Sequence, residues 1–186
     1  MSVPQAQIRL ATLADVPALV PLVESAYRGE VSKAGWTTEA DYLDGQRTDP
    51  QDLATIIATP GQSIHVLEQG GRLLASVHLK HQGGHCFLGM FAVSPTLQGA
   101  GIGRRLVTHA EQFARTVLQA TAMRMYVISI RTTLIAWYER LGYTRTGETA
   151  PFPYGNPRFG LPKRDDLAFI VLGKALQAPT GDPTLT

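Results

Sequence analysis

One stretch narrows the possible folds more than any other: Phe91-Ala92-Val93-Ser94-Pro95-Thr96-Leu97-Gln98-Gly99-Ala100-Gly101-Ile102-Gly103-Arg104-Arg105. An apolar run halts at a proline, three alternate glycines follow, and a helical period begins. A strand therefore hands over to a helix through a turn with almost no side chains. Glycines at 99, 101 and 103 permit positive φ and carry no Cβ to block an approaching group. The free N–H groups of the first helical turn point out of such a turn along a favourable dipole, which makes it a cradle for an anion, a phosphate above all. Arg104 and Arg105 add positive charge beside it. A Walker A loop needs a lysine and then serine or threonine after its last glycine, and Gly103 is followed by Arg104. A dinucleotide fingerprint needs G-x-G-x-x-G near the chain start, whereas this spacing is G-x-G-x-G halfway along. The plain alternative is a tight turn that only allows close packing.

The periods on either side set the fold class. Gln7 to Ala11 alternates weakly and ends at Thr12, which can cap a helix starting near Leu13. That helix carries Val16, Leu19, Val20, Leu22, Val23 and Ala26 on one face and fails near Gly29. Gly35 to Ala40 reads as a loop entering a short helix capped by Thr37 or Thr38. Asp49-Pro50 starts another helix, continued by Leu53, Ile56 and Ile57 and stopped by Pro60-Gly61. Ile64 to Glu68, Gly70-Gly71 and Leu73 to Leu79 form a hairpin with a tight turn. Cys86 to Val93 is apolar nearly throughout, as a central strand covered on both faces must be. Helical spacing returns from Gly101 to Leu118, followed by an apolar strand over Met123 to Ile130 and a short helix over Leu134 to Leu141 that Gly142 ends. A last strand covers Leu167 to Leu172. The hairpins argue against a wholly parallel sheet, so the expected class is α/β of mixed kind, a mixed sheet with helices on both faces.

Composition excludes several functions. The 186 residues suit one domain, expected over 1–176 with no internal linker, and a disordered tail over 177–186. A hydrophobic share of 44% with 17% charged residues allows a sizeable core. A net charge of +2 gives no reason to propose nucleic acid or a membrane surface as partner. No apolar window of about 18 residues is present, so no membrane span is expected. The mixed N-terminus is unlike a secretory signal, and a cytoplasmic location is expected. The single cysteine, Cys86, excludes an intramolecular disulfide and any multi-cysteine metal site. His65, His78, His81, His85 and His109 have no metal-ligand spacing on one helix, so no metal is expected.

With these residues in view, the turn resembles the acyl-CoA-binding motif of the GNAT superfamily, Q/R-x-x-G-x-G/A, with Gln98, Gly101 and Gly103 at its fixed positions. Phe91, Val93 and Pro95 match the strand that precedes it. About 30 residues on, Leu134 to Tyr143 is similar to the family's Tyr-Glu-Lys-x-Gly-Phe helix end, with Arg140 for lysine and Tyr143 for phenylalanine. The resemblance covers about residues 7 to 173. It implies a mostly antiparallel twisted sheet, acetyl-CoA as co-substrate, and transfer of its acetyl group to a primary amine by direct attack, without an acyl-enzyme. It further implies that the cradle strand is splayed from its neighbour. Phe91, Ala92 and Val93 would then line the pantetheine arm, and a backbone N–H near Val93 would polarise the acetyl carbonyl. Gln98, Gly99, Ala100, Gly101, Gly103, Arg104 and Leu134 complete the implied cofactor site. Tyr138 matches the tyrosine that protonates the leaving thiolate. The family often has asparagine seven positions earlier, contacting the cofactor; this chain has Arg131 there, expected to bind the cofactor through a phosphate or carbonyl oxygen instead. A homodimer is compatible with the resemblance. The alternative function is a non-catalytic acyl-CoA-binding regulatory module.

By the same resemblance the acceptor, expected to be a small-molecule amine, sits between the first two helices and the late loops. Tyr27, Arg28, Gly29 and Glu30 with Gly35 to Asp41 offer two aromatics, Tyr27 and Trp36, and three carboxylates, a suitable wall for a cationic amine. Glu30 is the candidate general base by position. The proline- and aromatic-rich run from Pro151 to Pro162 is a second wall or a subunit contact. Arg158, Lys163 and Arg164 would suit an acidic group instead, which leaves the acceptor's charge open.

Overall fold

The computed structural model describes residues 5–176, so the expected tail over 177–186 lies outside the described residues. In chain order it runs β1 (Gln7–Leu10), α1 (Val16–Tyr27), α2 (Gly29–Ser32), β2 (Leu43–Asp44), α3 (Pro50–Ala58), β3 (Gln62–Gln69), β4 (Arg72–Gln82) and β5 (His85–Val93). Then follow α4 (Ile102–Thr116), β6 (Ala122–Ile128), α5 (Thr132–Arg140), β7 (Thr144–Pro151), β8 (Leu161–Pro162) and β9 (Ala168–Ala175). Seven strands form one sheet in the order β1-β3-β4-β5-β6-β9-β7, and β2 pairs with β8 apart from it. Every neighbour in the large sheet is antiparallel except β5 and β6.

Local chemistry explains most boundaries. Asp49 caps α3 by accepting the Asp52 N–H at 2.7 Å, with Pro50 in the first helical position. Gly70 and Gly71, at φ 58° and 79°, supply the two positive-φ residues that the tight β3–β4 turn requires. A 3-10 turn over Leu13–Asp15 precedes α1, so the regular helix begins three residues later than its sequence suggests. The helix expected after Thr37 or Thr38 is absent; the short helix is α2, further upstream. The side chains of Thr37 and Glu39 are spent on arginines instead, which holds that segment irregular.

Of three core clusters, the smallest joins Leu43, Ile128, Phe152 and Leu167, and the two larger ones lie on opposite faces of the sheet. Val16, Leu19, Val23 and Leu53 from α1 and α3 pack on Ile64, Val66, Met90 and Ala92. Leu106, Val107, Ala110 and Ile135 from α4 and α5 pack on Leu67, Val77, Cys86, Leu88 and Val93. The side chains of β5 expose an irregularity: Cys86 and Leu88 face α4, and so does Val93, whereas Met90 and Ala92 face α1. Strict alternation would put all the even residues on one face. A β-bulge between Ser76/His78 and the facing residues of β5, with Met90 at φ 41°, inserts one residue and reverses the order.

Candidate active site

The bulge lies where β5 leaves β6. These two strands pair at three positions only, His85 with Ala122, Cys86 with Met123 and Phe87 with Arg124, and then diverge. Ala92 stays paired with Ser76 of β4, and the Ser94 N–H donates to Leu74 O at 2.9 Å. The backbone groups of Phe91 and Val93 therefore turn toward the opening. Tyr27 of α1 donates its hydroxyl to Phe91 O at 3.0 Å, and Gln98 donates its amide to Val93 O at 3.3 Å. The opposite end of that amide accepts the Trp36 N–H at 2.9 Å, and a Cβ on Gly35 would collide with it. Gln98 thus straps the 35–36 loop against the end of β5.

Beyond Gln98 the chain makes the cradle. Gly99 and Gly101 sit at φ 87° and 80°, and a Cβ on either would meet no atom within 4 Å. The first helical N–H to find a carbonyl is that of Arg105, on Gly101 O at 3.0 Å, so those of Ile102, Gly103 and Arg104 are left over. Arg104 and Arg140 line the same cavity, and neither guanidinium has a partner among the described residues. A glycine turn with leftover donors, open space and two uncommitted cations fits a pyrophosphate. The cavity, about 360 Å³, continues along Phe91, Val93, Trp36, Thr133, Leu134 and Trp137 to Tyr138. Phe91 and Trp137 stack at 6.1 Å between centroids, an apolar wall for a chain such as pantetheine.

A second cavity of about 640 Å³ opens on the other side of the splay, and the two share Tyr27, Phe91, Arg131, Leu134 and Tyr138. Tyr138 is buried at this junction, and its hydroxyl makes no hydrogen bond among the described residues. Burial, with Tyr27 nearby, pushes its pKa well up, so the phenol keeps its proton at neutral pH. Arg131 lines both cavities, and its guanidinium is already engaged. It donates to Glu39 at 2.9 Å and to Thr37 Oγ1 at 2.8 Å, and Arg28 donates to the same Glu39 at 2.6 Å. Burial works to raise the Glu39 pKa, but Arg131 and Arg28 outweigh it and hold the carboxylate ionised.

A family model described as acetyltransferase (GNAT) family matches residues 23–143. The chain belongs to that family. Its fold is that of GNAT enzymes of known structure. The ribosomal-protein-S18-alanine N-acetyltransferase from Escherichia coli superposes with a TM-score of 0.69 at 16% identity, covering 98% of this chain and 100% of that one. Ribosomal-protein-alanine N-acetyltransferase from Brucella melitensis gives 0.67 at 19% identity over 91% and 99%. Spermidine N-acetyltransferase from Vibrio cholerae, solved with CoA and spermine, gives 0.66 at 14% identity over 92% and 96%. Among curated protein sequences none matches this chain. The chain is thus a GNAT-type acetyl-CoA-dependent N-acetyltransferase, with a mixed, mostly antiparallel sheet flanked by helices. No helix among the described residues is long and apolar enough to cross a membrane.

Within this GNAT fold the residues singled out in the sequence divide into groups. Phe91, Val93, Gln98, Gly99, Gly101, Gly103, Arg104, Leu134 and Tyr138 line the first cavity together. Ala92 does not, because its backbone belongs to the β4 ladder and its side chain to the α1 face. Ala100 points to solvent outside it. Trp36 lines the cofactor-side cavity rather than the acceptor side, 6.0 Å from Trp137. Tyr27 lines both, but its hydroxyl is committed to the strand. Glu30 is no general base: its side chain is 87% exposed, paired with Lys33 at 2.7 Å and outside both cavities. Asp41 is likewise exposed, so the acidic wall expected there dissolves. Burial pushes the Cys86 thiol up to about 12, far from thiolate. Sequence reasoning missed Thr133, Trp137 and Arg140, which helical spacing from Leu134 and Tyr138 could have found. It also missed Arg47, His78 and Lys80, which line the second cavity with no motif to mark them.

Proposed function

We propose that this chain acetylates a small-molecule amine, with acetyl-CoA seated from the glycine cradle along β5 and the acceptor entering through the second cavity. The observation that carries the reading is the junction: two cavities of different character meet at a buried tyrosine whose hydroxyl has no hydrogen-bond partner among the described residues. When bound, acetyl-CoA supplies an activated acetyl thioester. The leftover N–H groups of α4 with Arg104 and Arg140 hold its phosphates. The N–H groups of Phe91 and Val93, turned to the opening, orient the arm and the carbonyl. Tyr138 gives its proton to the departing sulfur and is reprotonated from solvent, while the amine nitrogen gains the carbon–nitrogen bond and the carbon–sulfur bond breaks.

Among the described residues lining the two cavities no free carboxylate stands ready as a base, and none is required. The second cavity is lined by Arg28, Arg47, Lys80 and Arg131 against the single carboxylate of Glu39. Such an excess of cations disfavours an ammonium, so the amine is held in its neutral, nucleophilic form and its last proton leaves to water. The test is thermal-shift titration with acetyl-CoA, followed by thiol release with a panel of amines. Stabilisation by acetyl-CoA and amine-dependent thiol release support the reading. Stabilisation without turnover of any amine would leave the non-catalytic module, and no response to acetyl-CoA would remove the cradle as well.

A further inference from the structure

Resting on the reading that the second cavity takes the acceptor, we propose that this acceptor carries a carboxylate, an amino acid with an apolar or aromatic side chain, and that Arg47 binds the carboxylate. Three observations converge. The cavity wall is positive, with four cations against one carboxylate, and that carboxylate is already shared by Arg28 and Arg131. His78 is neutral and leaves that balance unchanged: burial holds its pKa down at about 4, and its Nε2 sits 2.8 Å from Gln62 Oε1. A polyamine would therefore enter against the field, whereas a carboxylate would be drawn in and would offset the charge of the amine it accompanies.

Arg47 supplies a fork for that anion. Its guanidinium lies over the Tyr27 ring, 5.1 Å from the centroid, and has no hydrogen bond or ion pair among the described residues. Its backbone is fixed independently, the N–H donating to Glu24 Oε1 at 2.6 Å, so the side chain projects from a held position. A guanidinium held over an aromatic ring keeps its planar fork of N–H donors, the geometry that grips two carboxylate oxygens. Tyr27 also holds Phe91 O, which sets the carboxylate site beside the strand along which the thioester lies. Much of the remaining wall is apolar, including Phe87, Tyr126, Phe152, Phe159 and Phe169 with Met125, and it suits an apolar side chain rather than a polyamine.

Thiol release is measured at saturating acetyl-CoA with phenylalanine, phenylalaninamide, phenethylamine and spermidine, for the native chain and for Arg47→Gln and Arg47→Lys. The expected result is a kcat/KM for phenylalanine at least about 30-fold above that for its amide or for phenethylamine, the scale of one charge-assisted contact. Arg47→Gln should collapse that ratio toward one by raising the KM for phenylalanine, and Arg47→Lys should restore part of it. A merely structural role would lower all four acceptors together and leave the ratio unchanged. Equal or better turnover of spermidine or phenethylamine, or a ratio indifferent to Arg47→Gln, overturns this inference while leaving acetyl transfer intact. Acetylation of none of the four, in a protein that acetyl-CoA stabilises, overturns the acceptor reading on which it rests.

Discussion

Gly103→Glu separates folding from binding, because the two should move in opposite directions. Gly103 is the second residue of α4 with ordinary helical φ, and a Cβ there would meet Phe91 Cζ and Trp137 Cζ2 at 3.5 Å, normal contact. The new side chain therefore fits. Replacing glycine in a helix and placing an anion at its N-terminus together favour the folded state by about 1 kcal/mol. For a domain of this size that corresponds to a rise of about 2–4 °C in Tm. The same carboxylate occupies the leftover N–H groups and faces any phosphate brought there. Two unit charges about 5 Å apart at an effective dielectric of 20 repel by about 3 kcal/mol, which is about 200-fold in affinity. Calorimetric titration with CoA should show that loss, and Gly103→Gln, neutral and of the same shape, should lose far less. Native affinity in Gly103→Glu, or an equal loss in Gly103→Gln, would refute the electrostatic account of the cradle.

Tyr138→Phe should lower kcat by about 100-fold, within the range of a single general acid, with the KM for acetyl-CoA and the Tm nearly unchanged, since the hydroxyl makes no hydrogen bond among the described residues; unchanged turnover removes Tyr138 from the chemistry. Glu39→Gln leaves Arg28 and Arg131 buried without their counter-ion and should cost about 3 kcal/mol in urea unfolding; a loss under about 1 kcal/mol would mean water reaches the pair. Acidification should destabilise the fold through His65, whose pKa burial, together with His109, holds at about 4 against the ordinary 6.5. The unfolded chain takes up that proton first, so stability is complete above pH 6.5 and lost between 6.5 and 4, about 2 kcal/mol of it by pH 5. His65→Gln should flatten the Tm profile over that window, and an unaltered slope would assign the titration elsewhere.

Elements with a strong period or a strong cap were legible in the sequence: α1, α3, α4, the β3–β4 hairpin and β5. Strand β7 was not, because Thr144 to Pro151 is an exposed, polar edge strand with no alternation to read. Two-residue strands such as β2 and β8 leave no pattern at all. The cofactor half of the site was readable because its chemistry resides in local backbone, glycines followed by a helix start. The acceptor half is assembled from side chains far apart in sequence, with Arg47, His78 and Arg131 arriving from different elements. Charge in the 30–41 segment pointed the wrong way: of its carboxylates, Glu39 turned inward and was neutralised, while Glu30 and Asp41 turned to solvent. The bulge at Met90 was invisible, since a run apolar on both faces does not betray a change of face.

The parting of β5 from β6 makes the sheet two panels stitched by three rungs. A ligand lying in the seam supplies the missing stitches, so binding here is a continuation of folding rather than an addition to it. Amide exchange should register this as one panel protecting the other: Ala92 slow in every state, Phe91 and Val93 fast until the seam is filled, and β6 slowing with them although no ligand contact is needed along most of its length.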